Sequence, residues 1–439
     1  MKKKELRLLI WTIYLLIVLL PLIIMLVFPI PEGRDFWRDL SVGLGFVGLA
    51  MAGLQFIPTA RLRFLADIFD MDTVYKVHHY LSIVSVFLIF LHPIILLLNN
   101  PYIRLIFNPF NAPWRVQAGW IGLGSLLVIA ITSVLRNEIK LDYNAWHTLH
   151  NLLAIFMAVF ALVHIFQINY YSSSTAVKSI WIFEGAIWTG MMLYSRVIKP
   201  FQIAKKPFIV KQIIEETKDT WTIVLNPKGH EGLDFKAAQV AWININTSPF
   251  TLQKNPFSIS GSACRKDELR FSIKALGDFT STIGQLKGGE TVFVDGPYGS
   301  FSLEDPRTEK GLVLLAGGIG VAPIMSILFT MADLKDKRPI YLFYGSYDEE
   351  NIIFKKDLEE LQEQLNLKIY HVLENPKDTK NYLRGYITRE LLETKLPENR
   401  KELYYFVCGP LPMIDAMEIH LKELGIPESQ VSIEKYEMA

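Results

Sequence analysis

His78 and His92 stand fourteen residues apart in one apolar stretch, and His150 and His164 stand fourteen apart in another (92 − 78 = 164 − 150 = 14). Fourteen residues advance a helix by roughly 21 Å and return nearly to the same face. Two parallel helices marked in this way present two histidine pairs at two depths. Imidazole is an axial ligand of haem iron. The spacing therefore predicts two bis-histidine haems, one held by His78 and His150 and one by His92 and His164. Histidines in membrane helices also serve as hydrogen-bonding neighbours. Four in matched registers form a ligand pattern, with His79 and His147 as alternates at the near end.

Helices must position these residues. Apolar runs near 8–28, 38–57, 74–98, 116–135, 146–167 and 180–198 predict six spans, each close to the roughly 20 residues that cross a hydrocarbon core. Lys2, Lys3, Lys4, Arg7, Arg61, Arg63, Lys76, Arg136, Lys140, Arg196 and Lys199 fall on one side of such a bundle. Arg34, Arg38, Arg104, Arg115 and Lys178 fall on the other. The richer side is cytoplasmic by the positive-inside rule, and an even number of spans returns the rest of the chain to it. The third and fifth spans then run in the same direction, so the paired histidines match in depth. Glu184, in the sixth, reads as an acid near the outer interface. The first apolar run is too long for a signal peptide and no small-residue cleavage site follows it, so a retained first span is expected.

Composition narrows the function classes. Hydrophobic residues make up 51% of the 439, and the first two hundred residues are the most apolar. A net charge of +1, with no basic cluster interleaved with aromatics, gives no footprint for nucleic acid. Cys264 and Cys408 are the only cysteines, which excludes a disulfide framework, cysteine-held iron–sulfur clusters and thiolate zinc sites.

From about residue 207 the pattern turns to short alternating strands at 208–210, 221–225, 241–245, 269–274 and 291–294, as in a small antiparallel barrel. Inside it lie Asn255-Pro256-Phe257-Ser258-Ile259-Ser260, then Lys274 with Gly277-Asp278-Phe279-Thr280, then Asp295-Gly296-Pro297-Tyr298-Gly299. A flavin requires an aromatic or apolar wall, a hydroxyl near the polar edge of its ring, and donors for its pyrophosphate. Phe257 and Ser258 suit the first two needs, and Gly277 and Thr280 suit the third. The first two motifs make a candidate FAD site, with Ser258 placed to take part in the chemistry.

After Lys310 strands alternate with helices. Leu312–Ala316 is a buried-strand run, followed by Gly317-Gly318-Ile319-Gly320-Val321-Ala322-Pro323 and an apolar helix. A strand, a glycine-rich turn and a helix N-terminus cradle phosphate, because glycines permit close approach and the helix end supplies amide donors. Further strands at 340–345, ending in Gly345, and at 368–373, 403–408 and 430–434 predict a five-stranded doubly wound sheet. Cys408-Gly409-Pro410-Leu411-Pro412-Met413 closes the fourth of these strands, where ligands bind. A polarisable thiol there could lie against a nicotinamide ring.

Together these residues resemble the NADPH oxidase and ferric reductase superfamily, in particular its short prokaryotic NADPH-oxidase-like members. The likeness rests on His78-x13-His92, His150-x13-His164, Asn255-Pro256-Phe257-Ser258, Gly277-Asp278-Phe279-Thr280, Gly317 to Pro323 and Cys408-Gly409-Pro410. It implies a six-helix transmembrane bundle over 1–200 and a ferredoxin-reductase-like module behind it. That module would comprise an antiparallel β-barrel FAD domain over 201–308 and a doubly wound α/β domain for NAD(P)H over 309–439. Gly345 and Met413 join its cofactor-binding set. The implied activity is that of an NAD(P)H oxidase of the plasma membrane, passing electrons through FAD and two haems to dioxygen or a ferric chelate. No obligatory protein partner is evident. Asn255 stands where the family usually has histidine, and Tyr347 stands near where NADPH users place an arginine. Tyr436 is the candidate for the aromatic that closes the family's chains near the flavin.

Overall fold

A computed structural model of the chain describes residues 3–27, 35–66, 68–69, 71–99, 108 and 110–435. Two compact units result, dividing after Pro200, with the short stretch 70–72 grouped with the second.

The first unit is helical: α1 (Lys3–Val27), α2 (Phe36–Leu54), α3 (Met71–Asn99), α4 (Trp114–Val134), α5 (Tyr143–Ile168) and α6 (Thr175–Leu193). Local chemistry sets the boundaries. Asp35 caps α2 by accepting the Arg38 amide, Asp142 caps α5 through the amides of Asn144 and Ala145, and Ser174 caps α6 through that of Val177. Asn169 ends α5 in the left-handed conformation. Among the described residues, five helices are long and apolar enough to cross a membrane. The sixth expected span is helical, but α6 carries Lys178 and Glu184 and does not reach that apolarity. Glu184 is buried within the helical unit: it is 0% exposed, on the same helix face as the buried Trp181 and Trp188. Trp181 packs edge-on against Phe46 of α2, and the Trp188 indole lies directly over Gly53.

The second unit holds two sheets. Strands β1 (Phe208–Thr217), β2 (Thr220–Pro227), β3 (Val240–Ile245), β4 (Asn255–Ser258), β5 (Leu269–Lys274) and β6 (Thr291–Tyr298) pair antiparallel in the order β4-β3-β6-β1-β2-β5. A bridge between Ile259 and Phe271 brings the β4 edge back to β5. Ile223 and Leu225, Ile243 and Ile245, and Phe271 and Ile273 alternate into the core, which is the period-two signal carried by the sequence. The strand that signal misses is β4. Pro256 cannot donate to a ladder, and it is tolerated because β4 lies at the edge of the sheet order.

The second sheet is parallel: β7 (Leu312–Gly317), β8 (Ile340–Ser346), β9 (Leu367–Leu373), β10 (Leu383–Arg384), β11 (Tyr404–Gly409) and β12 (Val431–Lys435), ordered β10-β9-β8-β7-β11-β12. It is connected by α7 (Val321–Asp333), α8 (Lys355–Gln364), α9 (Arg389–Lys395) and α10 (Leu411–Glu423). Five strands were expected, and the sixth, β10, is two residues long and too short to leave a periodic signal. The chain winds outward from β7 through β8 to β10, then returns to place β11 on the other side of β7. That reversal makes the carboxyl ends of β7 and β11 the crevice where such sheets bind ligands.

Candidate functional site

In the helical unit α3 and α5 bring the four histidines together in the predicted pairs. The rings of His78 and His150 have centroids 6.4 Å apart and planes at 59°. Two imidazoles sharing one metal through bonds of about 2 Å stand at that order of separation. His92 and His164 are electrostatic neighbours at the other end of the same helices.

The second pair is aimed by its surroundings. His92 Nδ1 lies 3.1 Å from the Ser41 carbonyl and 2.9 Å from the Ser41 hydroxyl, which itself donates to the His92 carbonyl at 2.8 Å. His164 Nδ1 lies 2.6 Å from the Arg115 carbonyl. A carbonyl only accepts, so both Nδ1 atoms carry the proton and both Nε2 atoms keep a lone pair for a metal. A Cβ added at Gly45 would come 3.2 Å from the His92 ring, and one at Gly119 would come 2.9 Å from the His164 ring. These glycines of α2 and α4 let each imidazole lie against a neighbouring backbone. In the first pair His150 Nδ1 is 3.5 Å from the Ser133 hydroxyl, and His78 Nδ1 is buried without a hydrogen-bond partner among the described residues. The alternates are engaged otherwise: His147 stacks on Tyr143 and His79 meets Tyr80 edge-on. Two imidazoles at each of two levels form a donor set suited to two haems.

The sequence points to the histidines but not to Ser41, Gly45, Arg115 or Gly119. The glycines of spans two and four are the available signal, since small residues mark close helix contacts. A backbone carbonyl such as that of Arg115 leaves none.

In the second unit the expected flavin residues gather around β4 and β5. Phe257 and Phe279 stack with centroids 6.1 Å apart and form an aromatic wall. The Ser258 hydroxyl donates to Glu434 Oε1 at 3.1 Å, which joins β4 to β12. Glu434 escapes sequence reasoning because 176 residues separate it from its partner. Ile259 is fully buried in the barrel core, and the Ser260 hydroxyl pairs with that of Ser272 at 2.9 Å, so both side chains face inward. Thr280 Oγ1 accepts the amides of Leu276 and Gly277, which makes it a builder of the Gly277–Thr280 turn. A Cβ at Gly277 would meet nothing within 4 Å, so this backbone is open to a ligand. Lys274 pairs with Asp219 at 3.3 Å. Burial would raise the Asp219 carboxyl, but hydroxyls of Thr217 and Thr220 and the Lys274 ammonium outweigh it and hold it below the usual range.

At the crevice the loops after β7 and β11 interlock. A Cβ at Gly320 would fall 2.3 Å from the Cys408 carbonyl oxygen, and one at Gly317 would fall 2.4 Å from Met413 Sδ. Gly409 packs against Gly317 in the same contact. Gly318 takes φ +52° and faces open space, leaving the turn approachable. Ala322 and Pro323 are buried in the first turn of α7, and Gly345 lies opposite Gly317 in register. Pro410 precedes α10 in extended conformation. The Cys408 thiol is fully buried in the core cluster with Ala316, Val321 and Phe406. Tyr436 lies outside the described residues.

Comparison with known proteins follows the same division. Residues 44–161 match the model of a ferric reductase like transmembrane component, 209–302 that of an FAD-binding domain, and 314–418 that of an oxidoreductase NAD-binding domain. Among curated proteins, NADH-cytochrome b5 reductase 1 of Dictyostelium discoideum is 31% identical over 37% of this chain and 58% of its own length. The reductase component of propane 2-monooxygenase of Mycolicibacterium smegmatis is 28% identical over 52% of this chain and 66% of its own length. The chain thus spans between about half and two thirds of these relatives. Among solved structures, the FAD/NAD-binding domain of a nitric oxide dioxygenase from Vibrio cholerae has a TM-score of 0.47 at 20% identity, covering 52% of this chain and 97% of that one.

Proposed function

From a chain with the architecture of the NADPH oxidase/ferric reductase family, a transmembrane domain followed by FAD- and NAD-binding domains, we propose a wire for electrons across a membrane. His78 with His150 and His92 with His164 would hold two haems, which, with FAD, would carry electrons from cytoplasmic NAD(P)H to dioxygen on the far side to give superoxide. The observation that carries this reading is the double register of α3 and α5: His78 beside His150 at one end, and His92 with His164 at the other. Bound FAD would supply the conversion of a two-electron hydride into single electrons, and haem iron their passage.

The chain's own residues do the positioning. The turn from Gly317 to Gly320 offers backbone amides at the start of α7 for the pyrophosphate of the donor. Phe257 and Phe279 wall the flavin, and Ser258 with Glu434 holds a proton at the Ser258 hydroxyl. Cys408, behind the crevice, fixes the strand end that faces the nicotinamide. Ser41 and the Arg115 carbonyl hold the Nδ1 sides of His92 and His164, so that their Nε2 atoms would be free to hold iron. With two imidazoles supplied to each haem, the residues present would suit transfer of single electrons to an external acceptor. By the distribution of basic residues, both termini and the nucleotide domains belong to the cytoplasmic side of a multi-pass plasma-membrane protein.

A ferric chelate is the second reading, favoured by the match of 44–161 to a ferric reductase component. NADH- or NADPH-driven reduction of cytochrome c by purified, FAD-supplemented protein separates the two. Loss of most of the rate on adding superoxide dismutase supports dioxygen. A dismutase-insensitive rate together with rapid reduction of a ferric chelate supports iron.

A further inference from the structure

A pocket at the carboxyl ends of β7 and β8 is lined by Gly318, Ser346, Tyr347 and Asn351, and on its other wall by Asp219 and Lys274. In doubly wound sheets the strand beside the phosphate turn carries, at its carboxyl end, the group that meets the adenosine ribose. A carboxylate there bonds the 2′-hydroxyl, whereas an arginine accommodates a 2′-phosphate. Here that strand is β8, in register with β7 through Gly345 and Gly317.

The residues that follow β8 are Tyr347, Asp348, Glu349 and Glu350. Asp348 Oδ1 accepts the amides of Glu350 and Asn351 and the Asn351 side chain at 3.0, 3.1 and 2.6 Å. Glu349 Oε1 accepts the amides of Lys377 and Asp378 at 2.7 and 2.9 Å. Glu350 meets Lys377 at 2.6 Å and Lys218 at 3.6 Å. The Asn351 amide group at Asp348, the Asp378 amide at Glu349 and the Lys377 ammonium at Glu350 lead the contacts that hold these carboxyls below their usual range, so all three are ionised at neutral pH. The lysines serve Glu350, while the direct hydrogen-bond partners of Asp348 and Glu349 are amides. Lys274, the cation in the lining, is 3.3 Å from Asp219, and Lys355 is directed at Tyr382.

We propose that this rim selects NADH over NADPH, with Asp348 as the main discriminator and Glu349 assisting. The inference rests on the nicotinamide-fed reading given above. A 2′-phosphate would add nearly two negative charges near the ionised carboxylates that follow the lining residue Tyr347, whereas a 2′-hydroxyl can donate to Asp348 Oδ2, the oxygen that accepts none of the turn's hydrogen bonds.

The test is reduction of an artificial dye by full-length, FAD-loaded protein in detergent, with NADH and with NADPH, at low and high salt. The expected result is a kcat/KM at least about tenfold higher for NADH, set mainly in KM. The KM for NADPH alone should fall as salt screens the rim. Asp348→Asn keeps an oxygen for the turn's amides and Tyr347→Arg adds a cation at an exposed position; each should narrow the gap severalfold, with flavin content reporting that the protein is intact. Equal or better use of NADPH by the unaltered protein overturns the proposal. A gap unchanged in both variants overturns the assignment to this rim. Oxidation of neither nucleotide is a different failure, because it removes the donor reading beneath.

Discussion

The two units build their sites from opposite materials. In the helical unit the proposed chemistry rests on four side chains, and the fold aims imidazoles with a hydroxyl, a carbonyl and two glycines. In the reductase unit the crevice is mostly backbone: glycines of one loop packed onto the carbonyl and glycine of another. A side-chain site should fail abruptly when a ligand is removed. A backbone site should fail when a methyl group is added.

The sharpest way to break this contrast is His78→Ala or His150→Ala. Each should abolish the haem of the first pair and lower outward electron delivery by on the order of 100-fold or more. Dye reduction at the flavin should persist, and a parallel loss of both rates would erase the distinction between the units. Gly320→Ala is the mirror experiment. Its Cβ would meet the Cys408 carbonyl at 2.3 Å, and since backbone cannot yield cheaply, nicotinamide-driven turnover should drop by about 10- to 100-fold. Absorbance of dithionite-reduced haem should stay unchanged.

Smaller effects sharpen the comparison. Ser41→Ala removes the hydroxyl from His92 while retaining the ligand itself, so haem should be held about tenfold more weakly at the second pair, as titration of apoprotein would read. In the reductase unit His371 of β9 sits between Tyr344 and Tyr382, and burial, aided by Lys355, pushes it down to about 4. The unfolded chain binds that proton near pH 6.5 and the folded chain does not. Its contribution to stability is therefore complete above about 6.5 and is lost as pH falls toward about 4, by up to about 3 kcal/mol. Flavin-release melting curves should show this slope flattened by His371→Gln; an identical slope in that variant would contradict it.

What the sequence makes legible follows the same divide. Residues fourteen apart on a helix share a face whatever surrounds them, so the histidine pairs are legible from spacing alone. The glycine turn after β7 is legible as a phosphate cradle, but its fit against Cys408 and Met413 is not, because those contacts cross about 90 residues of chain. Strand β4 is hidden by Pro256, which argues against a strand until the edge position is known. The burial of Glu184 is not legible in the sequence, because it depends on Trp181, Trp188 and the packing of α2, none of which a hydropathy pattern encodes.

Paired imidazoles on α3 and α5 are proposed to hold two haems in one conduit. Haem and FAD content of the purified protein, with its reduced-minus-oxidised spectrum, tests this most directly. Two b-type haems per chain are expected, with alanine at any one of His78, His92, His150 or His164 removing one of them. Absence of haem, or a haem content indifferent to all four replacements, would contradict it.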